Sequence, residues 1–210
     1  QTTYIGTGER YPVNIFYSGT SSATATFRPV TGAGTLTTSG DPGSGFPLIN
    51  FNGADYVIFD GRAGGAGTTV SWIIRNTRTA SFVGPAIQFT SGATYDVLQY
   101  VRIESQNSTG TSGTIYISSY PTWSAGNNNL TIQNCDVTKY TSGATTHINA
   151  IFSYGQTANP NSYISILNNN IHSFTPGLTA EATGVTVTGT GINTNYGDNW
   201  TISGNSFYLD

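Results

Sequence analysis

Charge is the scarcest commodity in this 210-residue chain. Asp, Glu, Lys and Arg together make up 8% of it, against roughly 25% in an ordinary globular domain. Only seven residues are Lys or Arg and the net charge is −3, so the clustered basic face that nucleic acid requires is missing. No apolar run approaches the ~18 residues of a membrane-crossing helix, which argues against membrane insertion. Cys135 is the single cysteine, so no intrachain disulfide can form. Its neighbours Ile132 and Val137, with nothing basic nearby, mark it as a buried structural thiol rather than a reactive one. Methionine is absent and the other strong helix formers are few.

What fills the chain instead is Gly (26 residues), Ser, Thr and Asn, with 13 Tyr and 10 Phe. Thr, Tyr, Phe, Val and Ile favour strands, and Gly, Asn and Ser favour turns. The expected class is all-β. Gln1 suits the start of a mature secreted chain, and a Lys-poor, Ser/Thr/Asn-rich surface points the same way, to an extracellular or cell-surface location.

Self-similarity gives the architecture. Leu130–Val137, Ile164–Ile171 and Trp200–Phe207 align without gaps, and Asp96–Ile103 follows more loosely. Their third positions, Leu98, Ile132, Ile166 and Ile202, are 34, 34 and 36 residues apart. A second strand type lies between them, anchored at Ile117, Ile151 and Val187 and repeating at 34 and 36. The two series interleave, one strand plus turns every 15–21 residues. That is too short for a βαβ crossover and too regular for hairpins. Winding each step into a coil stacks like positions at about 4.8 Å and makes the strands parallel neighbours. The expectation is a right-handed parallel β-helix, a solenoid with coils of about 15–21 residues in a two-coil repeat of 34–36. One domain spans 1–210, less regular over 1–90 and regular over 91–210. Leu130, Ile132, Cys135 and Val137 should point inward around a bend at Asn134. Asn134, Asn168 and, displaced by one, Asn205 are expected as a structural Asn bend whose amides bond backbone and one another.

The runs Phe51–Gly61, Trp72–Thr77 and Leu130–Cys135, with Ser18–Pro29 upstream, resemble the parallel β-helix regions of large secreted surface proteins of Bacteroidota. The resemblance covers about residues 13–208. It implies a pectate-lyase-like solenoid without the lyase site, and export by the type IX route, whose cargo carries a C-terminal sorting domain; none is visible here, which implies a fragment or a covered last coil.

Chemistry is thin on the walls. Lyases and hydrolases with this fold need clustered carboxylates, and the ten acids are widely spread. Arg102 and Asp136 share an alignment column, but two coils apart they should not pair. Asp55, Asp60, Arg62, Arg75 and Arg78 could converge as a site or form a solvated ion-pair network. His147 and His172 have no Cys or acid at ligand spacing, so no metal and no other cofactor is expected. No catalytic residue is assigned. The favoured reading is a non-catalytic structural or adhesive rod, joined through open coil ends to other copies or domains. A carbohydrate-binding module is the alternative, with Tyr116, Tyr120, Trp123, Tyr154 and Tyr196 as stacking residues and polysaccharide as partner. A polysaccharide-degrading enzyme is the third.

Overall fold

A computed structural model describes residues 3–4, 10–80, 82–107, 110–120, 124–140, 149–173, 185–188 and 197–208. Apart from one short 3-10 turn at Ala63–Gly65, its regular elements are strands. They form three long parallel sheets that the chain visits in rotation, with a small fourth sheet of two strands, Asn161–Ser162 and Gly197–Asp198, in the later coils. The first sheet is seven-stranded and includes Leu36–Gly40, Trp72–Asn76, Val101–Ser105, Asp136–Lys139 and Asn170–His172. The second is six-stranded and includes Val13–Ile15, Ile49–Asn52, Ile87–Thr90, Ile115–Ser118 and Ile151–Tyr154. The third, also six-stranded, includes Ala25–Phe27, Val57–Asp60, Val97–Gln99, Thr131–Gln133, Ser165–Leu167 and Thr201–Ser203. The molecule is therefore a parallel β-solenoid of triangular cross-section.

This geometry corrects the coil length. Each residue's parallel neighbour is a whole repeat away, Thr131 on Ser165 and Ser165 on Thr201, not half a repeat. One coil holds three strands, and the strands 15–21 residues apart lie on different sheets. The second strand type is also shifted. Ile117 pairs with Ser153, and Ile151 with Ile115 and Val185, a slip of two residues that keeps every side chain on its face. The N-terminal strands join the same three sheets, with rungs set less evenly by Gly-containing loops.

Inward positions make one apolar column per strand. Leu130, Ile132, Cys135 and Val137 are all buried, as the alternation requires. In the N-terminal coils the filling is aromatic: Phe51 lies 4.7 Å from Phe89 and 4.9 Å from Phe59, which packs on Trp72. Further along, Ile and Leu replace them; Ile117 sits on Phe89, and Leu98, Ile132 and Ile166 form one column. Each such side chain, fully buried, contributes roughly 1.5–3 kcal/mol.

The third sheet is bounded by sharp corners. Before it, Tyr56, Tyr95, Asn129, Tyr163 and Asn199 all have φ between 55° and 57°. After it come Tyr100, Asn134 and Asn168 at φ 52–54°, with Gly204 at 68°. Asn tolerates this left-handed conformation better than other side chains, which explains Asn134 and Asn168 at the bend. Asn205 belongs to the next column. Its Oδ1 accepts from the backbone and side-chain N–H groups of Asn169, both at 2.9 Å. Asn169 in turn accepts from the Cys135 N–H at 2.8 Å and donates to the Ile132 carbonyl. A second buried ladder joins Asn127 to Asn161, whose Oδ1 accepts from the Asn127 N–H and amide. These amides satisfy backbone groups that the corners turn away from the sheets.

Candidate functional site

The aromatic residues expected to bind sugar are placed unevenly. Tyr116 and Tyr120 line one groove of about 430 Å³ on the outer face of the second sheet. Tyr154 is exposed one coil further on, beside Ser118 in the register. Trp123 and Tyr196 lie outside the described residues.

Two kinds of structure build the groove. Its floor is the sheet wall itself, where outward residues of successive coils stack: Asn14 on Asn50, Asn50 on Gln88, Gln88 on Tyr116. Asn50 donates to Asn14 at 3.2 Å and accepts from the Thr90 hydroxyl at 3.0 Å, so its amide is held in place. The Gln88 amide has no protein hydrogen-bond partner among the described residues. The sides come from loops. Phe46 and Tyr120 are each 56% exposed and face the groove with Pro47 and Pro12. The Gly45 N–H donates to the Phe82 carbonyl at 2.6 Å, tying the Phe46 loop to the coil above it. Gly84 lies against the Phe46 carbonyl so closely that a Cβ there would collide with it. Tyr116 is packed at 5.6 Å on Phe152, and burial pushes its phenol pKa up. None of the lining residues is charged. Phe46, Asn50 and Gln88 were not expected, because only the true register brings them beside Tyr116.

The five charged residues that could have converged are divided among separate partners. Asp60 takes a bidentate pair from Arg62, both contacts at 2.8 Å. Burial pushes its carboxyl up, but the Arg62 guanidinium and N–H outweigh this and hold it below the usual range. Arg62 also lies 4.6 Å over the Tyr100 ring. Arg75 pairs with Glu104, Arg78 with Asp41 at 3.3 Å, and Asp55 accepts from the Thr94 hydroxyl.

A different network forms on the first sheet. Arg102 and Asp136 are direct neighbours in the register and pair at 3.2 Å, contrary to the sequence expectation. Arg102 also reaches Glu104, which is buried between Arg75 and Arg102. Asp136 continues to His172 Nε2 at 2.8 Å, and His172 stacks on Tyr208 at 4.7 Å. Each carboxylate in this chain of contacts is held by a cation or by the His172 imidazole, whose Nδ1 also lies 3.0 Å from the Ser173 hydroxyl, so the contacts crosslink successive coils. Among the described residues no group of His, Cys, Asp and Glu is arranged to hold a metal. The Asn134 and Asn168 corners border a smaller depression of about 270 Å³ with Tyr100 and Asn170.

No family model matches the sequence, and no curated protein matches it. One solved structure does. It is the crystal structure of PfbA, a surface adhesin of Streptococcus pneumoniae, at 14% identity and a TM-score of 0.46. The match covers 92% of this chain and 55% of that one, so the chain spans about half the length of the adhesin structure.

Proposed function

We propose that this chain is a non-catalytic, structural or adhesive rod segment of a protein exposed outside the cell, stacking coil on coil with other copies or other domains. The state of the two ends of the core carries this reading. Ile166 and Ile171 are fully buried, but their counterparts on the last coil, Ile202 and Phe207, are 41% and 46% exposed. At the opposite end Val13 and Phe27 are exposed over the buried Ile49 and Phe59. Among the described residues each terminal coil thus presents an apolar cross-section framed by strand edges, a surface that further coils complement, whether of the same protein or of another solenoid. The ion-paired acids of the first sheet support a structural rather than a catalytic wall. Low Lys content and the resemblance to secreted Bacteroidota surface proteins support export, the type IX route included.

Light scattering over a rising concentration series, with electron microscopy of the same samples, tests it. Wild-type chains should elongate into rods one coil-stack wide, and Ile202→Glu with Phe207→Glu should keep them short. Wild-type particles that stay monomeric at the highest concentration would sink end-to-end stacking.

A further inference from the structure

We infer that the groove on the second sheet binds an uncharged polysaccharide, with the chain lying along the solenoid axis across successive coils. This rests on the adhesive reading and names what the wall grips, but it does not depend on end-to-end stacking.

The first argument is charge. A polyanion or polycation entering this groove would give up hydration with no counter-charge among the lining residues to replace it. A neutral polymer loses less. The second argument is the hydrogen-bonding character of the floor. Asn and Gln amides both donate and accept, as sugar hydroxyls do. Asn50 is fixed by Asn14 and Thr90, and the neighbouring Gln88 amide has no protein partner among the described residues. A proline-rich peptide also suits aromatic grooves, but it offers carbonyl acceptors and few donors, leaving the amide oxygens of the floor unmatched.

The third argument is shape. Phe46 and Tyr120 stand over half exposed at the sides, and an exposed aromatic ring is apolar enough to cover the C–H face of a sugar. The fourth is periodicity. Asn50, Gln88 and Tyr116 follow one another at strand spacing, about 4.8 Å. That is close to the advance of one sugar unit along an extended chain, so consecutive sugars meet consecutive rungs. The floor is a sheet already ordered by the core, so little conformational freedom is lost on binding.

The test is electrophoresis of the intact chain through gels containing glucan, mannan, xylan or galactan, with polygalacturonate and a polyproline peptide as counter-probes. At least one neutral glycan should retard the chain, and raising the salt should not release it. Gln88→Ala and Tyr120→Ala should each weaken retardation about tenfold, the scale of one lost contact of this kind, with circular dichroism unchanged. Tyr163→Ala, exposed at a corner away from the groove, should bind as wild type. Retardation by none of the four glycans, preference for polygalacturonate or polyproline, or binding that survives both groove substitutions would overturn the inference. Rod formation is read separately, so either claim can fail without the other.

Discussion

Arg102 and Asp136 sit side by side on adjacent strands of the first sheet and pair at 3.2 Å, although 34 positions separate them in sequence. The pair is part of a chain running Arg75, Glu104, Arg102, Asp136, His172 across four coils. Its members differ in exposure, and this decides what each contributes. Glu104 is only 2% exposed, whereas Arg102 is about one-third exposed and partly screened by solvent.

Arg102→Ala should therefore act mainly through Glu104, which would keep Arg75 but lose its second cation. A destabilisation of roughly 1–3 kcal/mol is expected, below the figure for a fully buried pair. Urea denaturation of Arg102→Ala, Asp136→Ala and the double variant gives the coupling directly. Zero coupling would mean that the Arg102–Asp136 contact contributes nothing to stability and would contradict this assignment.

Asp96 occupies an inward column between Val57 and Leu130 and is fully buried. One carboxyl oxygen accepts from the Val57 N–H at 2.8 Å, and the other has no hydrogen-bond partner. Burial, with a smaller push from the Asp55 charge, raises its pKa to about 8 despite the Val57 contact. The folded chain thus keeps a proton that the unfolded chain loses above pH ~4. This contribution to stability is complete below that pH and is lost as pH rises toward 8. Asp96→Asn keeps an acceptor for Val57 and removes the titration. Its stability should gain on the wild type by roughly 4 kcal/mol between pH 5 and pH 8, measured by denaturant titration at both. Parallel pH profiles would refute the buried proton.

The two roles of asparagine separate by substitution. Asn134 serves the corner through its backbone, so Asn134→Gly should cost less than about 1 kcal/mol. Asn169 is buried and satisfies Cys135 and Ile132 on the coil before it. Asn169→Ala should cost about 1–3 kcal/mol by stranding those groups. Equal thermal shifts for the two variants would contradict this division.

Cys135 is buried, and burial pushes its thiol up to about 12. Iodoacetamide at pH 8 should leave it unmodified in the folded chain and label it fully in denaturant, as read by intact mass. Rapid native labelling would mean that the corner opens.

The solenoid was legible in the sequence because columns of like residues repeat at 34 to 36. The number of strands per coil was not. Asn134 divides Leu130–Ile132 from Cys135–Val137, but both sides are buried, so a corner between two sheets reads as a bend in one strand. Pairing of Arg102 with Asp136 was missed for the same reason: halving the coil doubled their apparent distance. The Ile117 column slipped because a two-residue shift preserves facing, and Ser153 looks out of place in a core until Asn161 is seen to donate to its hydroxyl at 2.9 Å. Tyr116 and Tyr120 were legible as groove residues by type alone. Gln88 was not, since it lies 28 positions before Tyr116, whereas the regular C-terminal coils from which the repeat is read run at 34 or 36.

A solenoid wall that binds a neutral glycan without a catalytic centre holds the polymer and leaves it uncut. The direct measurement is prolonged incubation of the chain with glucan, mannan, xylan, galactan and polygalacturonate, assaying bound polymer together with new reducing and unsaturated ends. Retention of a neutral glycan with its chain length unchanged is the predicted result. New chain ends from any of the five, lost on Asp136→Asn or Asp60→Ala, would contradict the account and return the wall to catalysis.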